Sequence, residues 1–438
     1  MVRFRASLCI VLLLLLSIAP ALGAQTLRIY HIDVEQGDAT LFVSPSGHTM
    51  LVDSGKNGHG SRIKTIMDRA GVTQINYFVC THYHEDHFGG IDDLVRDYKV
   101  PILETYDRGD KSFLPSSRTE SATYRDYMAT VGEDAIHMTR GMTIPLDDLM
   151  TVTCISSGGV VSGEQNPTPG VDENDMSVSL LVTLGPFRYF IGGDIQQTTE
   201  NKIADRDLVL NVDACEADHH GSNTSSSLPF LEDMSPAVII ISNGNNQTYQ
   251  HPRQETLTRY ANLSSHPVVF QTNKYLHGGA GGNIDDAHIA DPETVDDDGN
   301  ILLTVDGAAH TYTVSYGVSS SYTYPIKGTS GGKVVIESLL PNPAGPDDQL
   351  EEVVIRNTSG DTVPLSGWIL RDRNGLTWDL TAEGSLNPGE SKVIVRKGRA
   401  MSLNNSGDEI TLLDQSLTER DRFSYSSSSE GVRITTGH

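Results

Sequence analysis

Residues 81–90 read Thr-His-Tyr-His-Glu-Asp-His-Phe-Gly-Gly, which puts three histidines and an aspartate into six consecutive positions. Imidazole and carboxylate at this density are metal-ligand chemistry. A tight loop can aim alternate side chains at different ions: His82 and His84 suit one, Asp86 and His87 a second. The elements that must hold the loop are legible on either side. Residues 75–80 are an apolar run, expected as a buried strand. Residues 91–95, after Gly89-Gly90, read as the start of a helix. The chemistry is therefore expected at the end of a strand.

The pattern H-x-H-x-D-H after a strand resembles the metallo-β-lactamase-fold hydrolases, and other segments narrow the resemblance. Gln36-Gly37-Asp38-Ala39 resembles a run of the competence-protein (ComEC-type) subgroup. Residues 50–55 resemble the strand that ends in the family's first aspartate, here Asp53. Residues 189–194 resemble the late Gly-Asp whose aspartate bridges two metals, here Asp194. Residues 218–222 resemble the His-His-Gly-Ser of the same subgroup, and residues 241–244 with His251-Pro252 its last strand and His-Pro pair. The motifs run in order over about residues 26–325. They imply an α/β fold, an αββα sandwich with metals at strand ends between two sheets.

The resemblance also implies roles. His82 and His84 hold the first ion, Asp86 and His87 the second, and Asp194 bridges them. His219 or His220 completes one sphere; neighbours on a strand point apart, so one of the two is expected to ligate directly. His251 is a further candidate for metal or substrate. Asp38 and Asp53 are expected behind the ligand imidazoles, and Ser222 and Asn223 against substrate. The family's middle histidine has no counterpart: only His137 lies in that interval, and the matching stretch is residues 173–177, which implies a more open first ion. Two divalent metals are expected, zinc first and manganese second. With Asp86 and Asp194 at the reacting centre they imply hydrolysis by a metal-activated hydroxide. The subgroup implies a phosphodiesterase or nuclease acting on DNA or RNA. The alternatives are a β-lactamase, lactonase or phosphorylcholine esterase on the same site, or a binding protein with a degenerate hydrolase domain; the intact motifs argue against the last.

The remaining chain sets the context. Residues 1–24 read as a secretory signal peptide: Arg3 and Arg5, then an apolar stretch too short for a membrane span, then small residues. A secreted or periplasmic protein with no stable membrane insertion after signal removal is expected. Cys80, Cys154 and Cys215 sit in apolar runs and read as buried small hydrophobes. Residues 25–327 form the expected hydrolase domain and residues 328–332 a linker rich in Gly, Ser and Thr. Residues 333–438 show only short strand-like runs between turns, which implies a β-sandwich. Residues 352–357 and 365–372, the latter Leu-Ser-Gly-Trp-Ile-Leu-Arg-Asp, resemble the lamin-tail domains, which implies an Ig-like module, either one that attaches to a surface or polymer or a stabilising appendage. The residues from Ser424 onward read as frayed. The net charge of −25 argues against coating nucleic acid through a broad basic surface. It leaves a nuclease open, because metal dications in a cleft attract a phosphodiester themselves.

Overall fold

A computed structural model of the chain describes residues 25–109, 114, 116–164, 172–292, 298–327, 334–358, 362–415, 417 and 419–436. The segment read as a signal peptide and the linker lie outside these residues. Among the described residues two large sheets face each other. The first has nine strands, in the order Ser320–Pro325, Thr311–Tyr316, Ile301–Asp306, Thr26–His31, Thr40–Val43, Thr49–Val52, Ile75–Cys80, Ile102–Asp107 and Ile136–His137. The second has eight, in the order Ile289–Asp291, Val268–Asn273, Val238–Ile241, Ala214–Glu216, Phe187–Ile191, Ser179–Leu184, Met150–Ser157 and Val160–Val161.

Side-chain alternation along the strands makes three apolar layers from two sheets. In Thr40–Val43, Phe42 joins the slab between the sheets, whereas Leu41 and Val43 join the layer under the first set of helices. The central slab takes Leu27, Ile29, Val52 and Val79 from the first sheet and Leu180, Val182, Tyr189 and Ile240 from the second. Helices cover the outer faces. Gly60–Ala70 buries Ile63, Ile66 and Met67 on the first sheet, and left-handed Gly71 (φ 74°) ends it. Leu228–Met234 buries Phe230, Leu231 and Met234 on the second. This is the αββα sandwich that the sequence motifs imply.

The strands that carry the site are parallel. Thr49–Val52, Ile75–Cys80 and Ile102–Asp107 run together in one sheet, and Phe187–Ile191, Ala214–Glu216, Val238–Ile241 and Val268–Asn273 in the other. Their C-terminal ends meet along one edge of the sandwich, where loops are free to carry polar groups.

Residues 334–436 form a separate all-β unit. Strands Ser391–Val395, Glu352–Asn357, Val334–Leu340 and Ile434–Thr435 make one sheet; Thr377–Asp379, Ile369–Asp372, Asp408–Leu413 and Glu419–Tyr425 make the other. Trp368 and Trp378 lie in its core, and the Trp378 indole donates to Met401 O at 2.9 Å. One expectation fails here. The chain from Ser424 is not frayed: Ser424 and Tyr425 pair with Glu409 and Asp408, and Ile434–Thr435 returns to pair with Leu339 and Ser338. The serine-rich composition hid a strand whose burial is supplied by its partners. All three cysteines among the described residues are buried and unbridged. No helix among them is long and apolar enough to cross a membrane.

Candidate metal centre

The histidine loop, Asp53, Asp194 and the His219-His220 turn each lie just past the end of a strand with a parallel partner, and Asp38 follows the antiparallel strand Thr26–His31; close backbone approach brings the loops together. Thr81 and the histidine loop follow Ile75–Cys80; a single helical turn, Glu85–Phe88, then aims His87 inward. The Ser54–Asn57 loop crosses Gly89 and Gly90 so closely that a Cβ on Gly90 would stand 2.2 Å from Ser54 O. Gly37 is tied in the same way: with φ 146°, its Cβ position is 2.5 Å from Asp86 O. From the second sheet, Gly193 (φ 58°) lies against the Thr81 side chain and delivers Asp194.

Asp194 is buried, and its two oxygens face two different groups. Oδ2 lies 3.6 Å from His82 Nε2 and 3.6 Å from His219 Nε2. Oδ1 lies 3.3 Å from His87 Nε2 and 3.7 Å from His220 Nε2. His84 Nδ1 stands 2.9 Å from His82 Nε2, and Asp86 Oδ2 is 3.7 Å from His220 Nε2. The donor atoms of His82, His84 and Asp194 converge as one set, and those of Asp38, His87, Asp194 and His220 as another. His87 Nε2, His220 Nε2, Asp194 Oδ1 and Asp38 Oδ1 are buried without a hydrogen-bond partner. Orphaned donor atoms of this kind, gathered around one carboxylate, fit a divalent cation.

The groups behind the ligands explain their orientation. Asp53 Oδ2 is 2.8 Å from His87 Nδ1 and also accepts from Thr81 Oγ1 at 2.7 Å. His220 Nδ1 is 3.1 Å from Ser242 O. A carbonyl oxygen only accepts, so His220 carries its proton on Nδ1 and turns Nε2 to the cleft. Asp38 stands behind both rings, 3.5 Å from His220 Nδ1 and 3.8 Å from His87 Nδ1. Burial pushes the Asp194 carboxyl up, but His87, His219, His220 and His82 outweigh it and hold the group well below the usual carboxylate range. Burial, with His87 next to it, drives the His82 imidazole well below its usual range.

The expected pair of adjacent histidines is corrected. His219 and His220 are not on a strand; they have left-handed backbones, φ 52° and 55°, in the turn after Ala214–Glu216. Their rings therefore reach opposite oxygens of Asp194, with His219 on the same oxygen as His82. Asn174, from the stretch matched to that histidine, lies 3.4 Å from His219 Nε2. His251 lines the cleft with its ring 5.3 Å from that of His219, but lies outside both converging sets. Ser222 and Asn223 do not line the cleft. Ser222 is buried and bonded to Thr224 within its own turn, and Asn223 O accepts from Gln197 and Arg259. His59 is a positioning group: its Nδ1 accepts from Lys56 N at 3.2 Å.

Several residues at the site carry no motif. Lys56, Arg118 and Tyr249 line the cleft of about 530 Å³ together with the ligand residues. Buried Arg108 bonds Glu173 at 2.8 and 2.7 Å, and Glu173 also accepts from Tyr83 N at 2.7 Å, which ties the Asn174 turn to the histidine loop. The extra glutamate before Asn174 was the available signal for that clamp; the three cleft residues had none.

The metallo-beta-lactamase superfamily model matches residues 32–240 and the lamin tail domain model residues 327–427. ComE operon protein 3 of Bacillus subtilis is 24% identical over 267 residues, covering 57% of this chain and 32% of that protein. Recombination protein 2 of Haemophilus influenzae is 26% identical over 256 residues, covering 57% and 28%. The chain thus spans about a third of the length of these relatives. Among solved structures, zinc-bound PqqB of Methylobacterium extorquens is 15% identical with a TM-score of 0.36, covering 54% of this chain and 85% of that one. A CmlA beta-hydroxylase variant is 12% identical with a TM-score of 0.35, covering 57% and 52%.

Proposed function

From a chain that joins a metallo-beta-lactamase superfamily domain, akin to those of competence proteins, to a lamin tail domain, we propose a secreted metal-dependent phosphodiesterase, a nuclease acting on DNA or RNA. The observation that carries this reading is the division of Asp194 between two groups of imidazoles, His82 and His219 at Oδ2 and His87 and His220 at Oδ1. His82, His84 and His219 would hold one divalent ion, and Asp86, His87 and His220 the other, with Asp194 shared. Metal ions held there supply Lewis acidity and activate water for hydrolysis. Zinc is the first candidate, given the imidazole-rich set, and manganese the second.

The chain's own groups do the rest. Asp53 and Ser242 O fix the tautomers of His87 and His220, so both Nε2 atoms face the cleft. Asp194 stays ionised among the imidazoles and needs no proton removed before use. The net charge of −25 disfavours a phosphodiester over the surface as a whole, so cleavage is expected to depend on metal in the cleft. Residues 1–24 act as the export signal in this reading, and residues 333–438 attach the enzyme to a surface or polymer. The competence-type names of the relatives support nucleic acid over other substrates.

The test is a substrate panel. Metal-loaded protein is incubated with DNA, RNA, bis-p-nitrophenyl phosphate, nitrocefin and a homoserine lactone. Phosphodiester cleavage that EDTA abolishes is expected. Rapid β-lactam or lactone hydrolysis with no phosphodiester cut would overturn the reading.

A further inference from the structure

Three of the cleft residues outside the ligand set are a lysine, an arginine and a tyrosine. Lys56 and Arg118 line the cleft beside His84, Asp86 and Asp194. Among the described residues neither side chain has a carboxylate partner. The chain has 57 acidic and 32 basic residues, so cations left unpaired at an acidic cleft call for an anion from outside. The Lys56 loop is built rather than loose: its backbone is held by His59 and packed over Gly89.

The third residue is Tyr249. It is 50% exposed, yet its backbone is fixed, because Thr248 N and Tyr249 N both donate to Asn246 Oδ1 at 2.8 and 3.1 Å. Its ring lies parallel to His251, 4° between planes and 6.1 Å between centroids. One face of this pair is the cleft wall. A rigid, exposed aromatic face beside an anion site matches the chemistry of a nucleotide, whose base stacks while its phosphate meets cations.

We propose that the cleft binds a nucleotide unit, with the phosphate held by Lys56 and Arg118 beside the metal ligands and the base stacked on Tyr249. This deepens the nuclease reading, on which it rests, and separates the enzyme from one that grips only phosphate.

Calorimetry with the metal-loaded full chain tests it without turnover. The probes are thymidine 5′-monophosphate and 1,2-dideoxyribose 5-phosphate, whose C1′ carries hydrogen in place of the base. The nucleotide is expected to bind about tenfold tighter, the low end of one stacked base. Tyr249→Ala should erase that preference and Tyr249→Phe should keep it. Lys56→Gln with Arg118→Gln should weaken both probes by about tenfold. Equal binding of the two probes by the unaltered protein, or a preference that survives Tyr249→Ala, would overturn the stacking site. Unchanged affinities in the double variant would overturn the anion site. DNA cleavage with equal probe binding sinks this inference and leaves the nuclease reading; nucleotide preference with no phosphodiester cleavage does the reverse.

Discussion

At the scale of residues, the centre is a set of histidines whose charge is set by the carboxylates around them. Burial alone lowers the His87 and His220 imidazoles. Asp194 and Asp53 around His87, and Asp38 and Asp194 around His220, outweigh it and hold both well above the usual histidine range. In the metal-free protein these two rings are therefore protonated at neutral pH, and their ion pairs are lost as pH rises through the raised values. A metal must displace those protons. Titrating zinc into metal-free protein near neutral pH should release about two protons per chain from this pair, and affinity should rise as pH is raised. Calorimetry in buffers of different ionisation enthalpy measures the count; no proton release would mean the rings are neutral. Asp53→Asn should weaken metal binding by about 10- to 100-fold, because it disturbs the bond that orients His87. Competition with a chromogenic chelator reads this directly. These residues were legible because their types cluster in the sequence. Lys56, Arg118 and Tyr249 were not, since nothing but tertiary packing brings such common side chains to one cleft.

At the scale of elements, the loops hold the site by touching backbone to backbone. Gly90→Ala would drive a methyl group into Ser54 O, at 2.2 Å. Ser54 N also donates to His87 O at 2.6 Å, so relief of that clash shifts the ligand loop. The expected cost is about 1–3 kcal/mol, read as a lower unfolding midpoint, with weakened metal binding in the same variant. A variant with wild-type stability would show that the loop yields freely. Strand Ile75–Cys80 was legible to the residue from its apolar run. The His219-His220 turn was not: alternation along a strand was the wrong rule for two residues with left-handed backbones. The serine-rich tail failed for the opposite reason, as partners in the sheet override a composition that reads as disorder.

At the scale of the molecule, the expected division after residue 327 can be tested at its edge. Ile326 is buried in the slab between the two large sheets, Lys327 N donates to Asp213 Oδ1 at 2.5 Å, and the Lys327 ammonium bonds Ser235 O. A chain of residues 25–327 should fold, bind metal and keep activity on a small phosphodiester. One ending at 325 loses both anchors and should unfold at a lower temperature. If the two truncations melt alike, the edge lies elsewhere. Charge gives a second expectation: with two unpaired cations at the cleft, the log–log salt slope of DNA binding should be no steeper than about −2. The order of strands carries one more consequence. Thr26–His31 pairs along its whole length with Ile301–Asp306. As the chain leaves the ribosome, its first strand keeps one edge open until nearly all of the hydrolase unit has followed. Non-local pairing of this kind is slow to form. Maturation is therefore a late event: an ion that meets the nascent chain early finds the loop of residues 81–88 alone, with no Asp194 to share.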